Sequence, residues 1–98
     1  SDLAEEKVEK KKPKVNDYKL KKERQSNLRK LNTLLKRLED EIEQSEVDIA
    51  DYESKLSSAE YEKLMEYTSK IDELSKYRDE LYEKWESTSL ELAELEEE

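Results

Sequence analysis

The chain contains no glycine, cysteine, histidine or phenylalanine, and its one proline is Pro13. Without glycine it has no phosphate-cradling loop of the kind that binds nucleotides. Without cysteine and histidine it has no thiolate nucleophile, no imidazole base, no zinc site of the usual ligand types and no disulfide bond. We therefore expect no catalytic, metal-binding or cofactor-binding residue here, and no enzymatic activity of these 98 residues by themselves.

Long apolar runs are also missing. No segment approaches the roughly 20 apolar residues that cross a bilayer, and no signal peptide is visible, so we expect no membrane contact and a cytoplasmic location. The chain begins at Ser1 and its only methionine is Met65, which indicates a fragment of a longer protein. Because 48% of the residues are charged and 33% hydrophobic, the composition favours a coiled coil over a globular core.

Apolar residues recur at alternating steps of three and four in two parts of the chain. The first series is Leu28, Leu31, Leu35, Leu38, Ile42, Ser45, Ile49, Tyr52 and Leu56. The second series is Leu64, Tyr67, Ile71, Leu74, Arg78, Leu81, Trp85, Thr88, Leu92 and Leu95. This spacing keeps one narrow stripe, here called the seam, against a partner helix. The sequence therefore predicts an all-α protein with two long helices and no pocket for a small-molecule ligand.

A break between the two series favours an antiparallel hairpin over one unbroken helix. Leu56 and Leu64 lie eight residues apart, whereas an unbroken heptad repeat requires seven. A short polar break between periodic segments is typical of antiparallel neighbours. The predicted organisation is a charged, disordered linker at 1–15 and a hairpin at 16–98, with helix one at about 17–56, a turn at about 57–63 and helix two at about 64–96.

Two pairings of the helices satisfy an antiparallel seam. The first sets Leu38 opposite Trp85 and Ser45 opposite Arg78, with the turn near residues 60–62. It is preferred because both polar interruptions then share one layer, where burial costs least. In this pairing Arg78 is expected to extend toward Glu41 or a similar carboxylate.

The second pairing sets Leu31 opposite Trp85 and places the turn near Ser58. Ser57 and Glu60 have the spacing of a capping box that restarts a helix, which favours this arrangement. Both pairings remain open at the level of the sequence.

Charge is segregated along the chain. Residues 7–37 hold thirteen Lys or Arg against three acids, a balance of +10, whereas residues 38–98 have a balance of −16. Candidate phosphate-binding residues are Lys10, Lys11, Lys12 and Lys14 in the linker and Lys22, Arg29, Lys30, Lys36 and Arg37 on the outward side of helix one. A basic stripe is typical of contact with a nucleic-acid backbone, although charged faces of coiled coils are more often simply solvated.

Two further features bear on that hypothesis. The acidic terminal segment from Glu91 onward is expected to lie near the start of helix one and to neutralise it in part. Trp85, with Tyr77 and Tyr82 nearby, offers a stacking surface for bases, but its seam position favours packing instead.

The second helix resembles a known family. Residues 74–86, Leu-Ser-Lys-Tyr-Arg-Asp-Glu-Leu-Tyr-Glu-Lys-Trp-Glu, resemble the ELxxLYERWEEL segment near the C-terminus of ABC-F proteins, and residues 18–24 resemble their YKEQRE segment. The resemblance covers about residues 16–98. The chain departs from the family at 57–64, where the two Asp-Pro pairs of the ADPxxYxDPxKL loop are missing, so contacts at the loop tip are not carried over.

The resemblance implies a parent protein with paired ATPase domains and no membrane domain. ATP and Mg would then belong to domains upstream of this chain. Members act on the ribosome, and in some of them a C-terminal hairpin after a charged linker has been implicated in binding DNA or ribosomal RNA. The partners implied are therefore the ribosome or its RNA, or DNA. The alternative is a protein-interaction or spacer coiled coil that self-associates as a homodimer or docks on the upstream ATPase domains.

Overall fold

The computed structural model describes residues 2–98 and the side chains of residues 15–98. Helix α1 spans Asp2–Lys55, a 3-10 turn spans Leu56–Ser58, and helix α2 spans Tyr61–Glu96. The two helices pack along each other, so the predicted all-α helical hairpin is confirmed. The linker predicted at 1–15 lies, apart from Val15, outside the residues whose side chains are described, and its order stays a prediction.

The two heptad series form the contact between the helices. The buried members are 2–7% exposed: Leu38, Ile42, Ser45, Ile49, Leu81 and Thr88. The half-buried members are Leu28, Leu31, Leu35, Tyr52, Leu56, Tyr67, Ile71, Leu74, Arg78, Trp85, Leu92 and Leu95. Leu64 differs from the prediction, since it is 36% exposed. It lies in the first turn of α2, at the tip of the hairpin, where α1 reaches its last residue, Lys55.

The centre of the hairpin shows which pairing the helices adopt. Leu38, Ile42 and Leu81 form the buried cluster, and Leu34 and Trp85 pack against it. Trp85 thus lies beside Leu38, as in the first pairing, and not beside Leu31. At the open end, Leu31 lines one groove together with Leu95, which agrees with the same register.

The turn differs from the position that this pairing predicted. The chain leaves α1 at Lys55 and enters α2 at Tyr61, so the turn is centred near Ser58, as the second pairing predicted, and not near residues 60–62. The proposed capping box is absent, because Glu60 is the residue that precedes α2 and no side chain caps its amides. Instead Ala59 and Glu60 are extended, with ψ angles of 138° and 162°. Two extended residues after a tight 3-10 turn cross the gap between the helices without any residue at positive φ.

The polar layer of the seam is satisfied within each helix. Ser45 is buried, and its hydroxyl donates to the carbonyl oxygens of Glu41 and Ile42 at 3.1 and 2.9 Å. The Arg78 guanidinium lies 3.4 Å from the carboxylate of Asp79, so its partner is the adjacent residue and not Glu41. Long basic side chains often keep the charge in water while the stem covers apolar surface.

None of the described helices carries an apolar stretch that would let it cross a membrane. The hairpin is narrow, with cross-sectional extents of 17 and 14 Å. Two helices side by side account for these dimensions, since one helix with its side chains is about 10–12 Å in diameter.

Candidate nucleic-acid interface

The candidate phosphate-binding residues on α1 share its outward side. We call the exposed side chains of Lys22, Arg29, Lys30, Lys36 and Arg37 the basic face. Lys22, Arg29 and Lys36 are seven residues apart, so a helix of 3.6 residues per turn places them on nearly the same side. The four linker candidates, Lys10, Lys11, Lys12 and Lys14, lie outside the residues whose side chains are described.

Most of the basic face is not engaged by carboxylates. Among the ion pairs found between residues 15 and 98, one includes a member of this face, Arg37 with Glu41 at 4.0 Å. Both side chains of that pair are largely exposed, and such pairs contribute little to stability. The other four side chains of the face are exposed to solvent and form no ion pair among residues 15–98.

A shallow groove runs along the same side of α1. Its lining residues are Ser26, Arg29, Lys30, Thr33, Leu34 and Arg37. They combine two guanidinium groups, one ammonium group and two hydroxyl groups, all of which donate hydrogen bonds to phosphate oxygens. Leu34 packs against the core cluster and anchors the floor. Donor groups of this kind contact phosphate and sugar in protein–nucleic acid complexes.

Arg24 has a role that the sequence reasoning missed. Its Nε donates to the carbonyl oxygen of Leu95 at 3.2 Å, and its terminal nitrogen donates to that of Glu96 at 3.3 Å. The last turn of α2 has no basic residue of its own, so Arg24 supplies the cation that a helix C-terminus favours. The Leu95 carbonyl oxygen also accepts a bond from the backbone amide of Glu98 at 3.3 Å. Extending the heptad series back by four residues from Leu28 reaches this position.

Two aromatic residues of α2 form hydrogen bonds to α1. The Trp85 indole donates to the Glu39 carboxylate at 3.1 Å, and the Tyr82 hydroxyl donates to the Glu46 carboxylate at 2.8 Å. Both bonds join α2 to α1. The glutamates beside these rings would repel a phosphate backbone, so this side of the rod does not suit base stacking.

The hydrogen bond between Tyr82 and Glu46 predicts that the folded chain loses stability at alkaline pH. It raises the pKa of the Tyr82 phenol above its ordinary value, with burial adding to the effect. The contact therefore stabilises the folded chain below the pKa of a free tyrosine, and the contribution is lost as pH rises through the raised value. In a titration followed by NMR of labelled tyrosine, Glu46→Gln should move the pKa of Tyr82 back toward its ordinary value. An unchanged midpoint would show that the bond is not formed in solution.

The tip of the hairpin is closed by an aromatic pair. The rings of Tyr52 and Tyr67 lie 5.6 Å apart, and the Lys55 ammonium group lies 5.5 and 5.8 Å from their centroids. Asp51 holds that ammonium group at 3.0 Å and raises the pKa of Lys55. This arrangement covers the end of the seam where α1 stops.

The described side chains were also compared with the requirements of a metal site. Residues 15–98 contain no group of three acidic side chains placed to hold a metal ion. No protein-family model, curated protein or solved structure matches the chain.

Proposed function

We propose that the chain is the non-catalytic C-terminal hairpin of an ABC-F-type ATPase and that it contacts the phosphate backbone of ribosomal RNA or DNA. The observation that carries the proposal is the basic face, whose five cations lie exposed on one side of α1. The resemblance of residues 74–86 to the family supports the assignment of the parent protein. In this proposal ATP and Mg act in the upstream domains, and the protein works in the cytoplasm.

The geometry favours binding without sequence readout. A rigid helix carries the cations, and the groove residues Arg29, Lys30 and Arg37 are flanked by the hydroxyls of Ser26 and Thr33. Such groups contact phosphate and sugar, which fixes position but carries no sequence information. Affinity would then come mainly from the release of counterions from the nucleic acid.

A salt series tests this proposal directly. The chain is titrated with labelled duplex DNA and with labelled ribosomal RNA while monovalent salt is raised. Five cations in contact with duplex phosphates predict a slope of about −4.5 for log K against log salt, at about −0.9 per contact. Micromolar binding with such a slope would support the proposal, and a preference would name the target. No binding to either ligand at low salt would contradict it.

A protein-docking rod is the second candidate, and the tip of the hairpin favours it. Tyr61 and Met65 are 76% and 58% exposed on the first turns of α2, next to the partly exposed Leu64. Exposed apolar groups clustered together mark contact surfaces more often than scattered ones do. Sedimentation across a concentration series tests self-association, because a monomer at all concentrations excludes a homodimer. Docking on the ATPase domains is tested by ATP turnover after deletion of the hairpin.

A further inference from the structure

The carboxyl-terminal part of α2 places negative charge beside Lys30, one residue of the basic face. We call Glu91, Glu94, Glu96, Glu97 and Glu98 the acidic end. Three of these residues, Glu91, Glu94 and Glu98, line one groove together with Asn27, Lys30 and Leu31 of α1. Lys30 also lines the shallow groove on the outward side of α1. It therefore stands at the boundary between the acidic end and the rest of the basic face.

The acidic end is held in this place by the hairpin itself. Leu92 and Leu95 are half-buried in the seam, between the glutamates. The bonds from Arg24 to the carbonyl oxygens of Leu95 and Glu96 fasten the last turn of α2 to α1. Because these contacts use the backbone and the leucines, the glutamate carboxylates do not take part in them. Their negative charges remain free to act on neighbouring ions.

We propose that the acidic end is a built-in competitor of the phosphate backbone, which lowers the affinity of the basic face and confines the ligand to the outward side of α1. This inference rests on the proposed function. Carboxylates and phosphates carry the same sign, so the acidic end makes the electrostatic potential beside Lys30 less favourable for a phosphate without forming an ion pair with the basic face. It also repels any phosphate that approaches Lys30 from the side of α2.

The size of the effect follows from Coulomb's law in water. At low salt, where the Debye length is about 30 Å, each carboxylate about 8–10 Å from a bound phosphate should weaken its binding roughly twofold. Three of them together should weaken it by about tenfold at low salt. The effect should shrink as salt is added, because the screening length falls.

The test compares two variants with equal net charge. The first is Glu91→Gln, Glu94→Gln, Glu98→Gln, which neutralises the carboxylates beside Lys30. The matched control is Glu53→Gln, Glu60→Gln, Glu62→Gln, which removes the same number of charges near the turn, far along the rod. Circular dichroism checks that both remain helical, and binding to the same labelled duplex DNA and ribosomal RNA is measured at several salt concentrations.

The expected result is about tenfold tighter binding by the first variant at low salt, with less than twofold change in the control. Binding by the first variant, with none by the natural chain or the control, would also support the inference that the acidic end competes with the phosphate backbone. Equal gains in both variants, or no gain in the first while the natural chain binds, would overturn the inference and leave the proposed function standing. No binding by any of the three chains would overturn the proposed function and the inference with it.

Discussion

Replacing Leu81 with alanine should lower the free energy of unfolding by about 2–4 kcal/mol, the usual range for a buried leucine. Leu81 is 2% exposed and joins Leu38 and Ile42 in the cluster at the centre of the hairpin. Its loss would leave a cavity between two helices that have no other layer behind them to close it. Urea unfolding followed by far-ultraviolet circular dichroism measures the change.

A matched control for this variant lies on the same helix. Leu90 is 61% exposed, so Leu90→Ala removes the same atoms from a surface position, where changes are usually within about 0.5 kcal/mol. Equal destabilisation by both variants would mean that the helices do not pack along the seam described above. A loss of less than about 1 kcal/mol for Leu81→Ala would point the same way.

Neutralising three residues of the basic face should produce the largest change in binding. In the variant Lys22→Gln, Arg29→Gln, Lys36→Gln, three phosphate contacts are lost. The slope of log K against log salt should flatten by about 2.7, and the affinity at low salt should fall by about a hundredfold. Because these cations contact no base edge, the loss should be similar for DNA sequences of different composition. The same salt series measures both quantities.

The control for this variant removes three charges elsewhere. Lys63, Lys70 and Lys76 on α2 are ion-paired with Glu66, Glu73 and Asp72, and their replacement by glutamine gives the same net charge. If the proposal is right, this control binds nearly as well as the natural chain. Unchanged affinity in the Lys22, Arg29 and Lys36 variant would remove the basic face from the interaction.

Periodicity predicted the packing of this chain well, because a coiled-coil seam is a local property of the sequence. The spacing of leucines selects which side of each helix is covered, but it allowed two registers, with Trp85 opposite either Leu38 or Leu31. Burial of polar residues at one level was a sound reason to choose between the two registers. Leu64 departs from the pattern because it lies at the tip of the hairpin, where α1 ends at Lys55 and the seam ends with it.

Details that depend on exact backbone geometry were not accessible from periodicity. The turn is set by a 3-10 segment and two extended residues, Ala59 and Glu60, and no repeat encodes them. The bond from Trp85 to Glu39 and the pairing of Arg78 with Asp79 depend on side-chain rotamers. For the candidate interface, the sequence predicted the basic stripe and the acidic segment near it, while the groove on α1 required the positions of its side chains. Nucleic-acid contact itself stays a prediction.

The two hydrogen bonds from Arg24 to the end of α2 have a consequence for local unfolding of the hairpin. At one end of the hairpin the turn connects the two helices covalently. Local separation of the helices therefore begins at the other end, where α2 terminates. There, the guanidinium of Arg24 holds backbone carbonyls that lie 71 and 72 positions later in the chain. Amide hydrogen exchange in the last turn of α2 therefore reports on a side chain near the beginning of the described sequence. Replacing Arg24 should therefore speed amide exchange in the last turn of α2 more than at the tip of the hairpin.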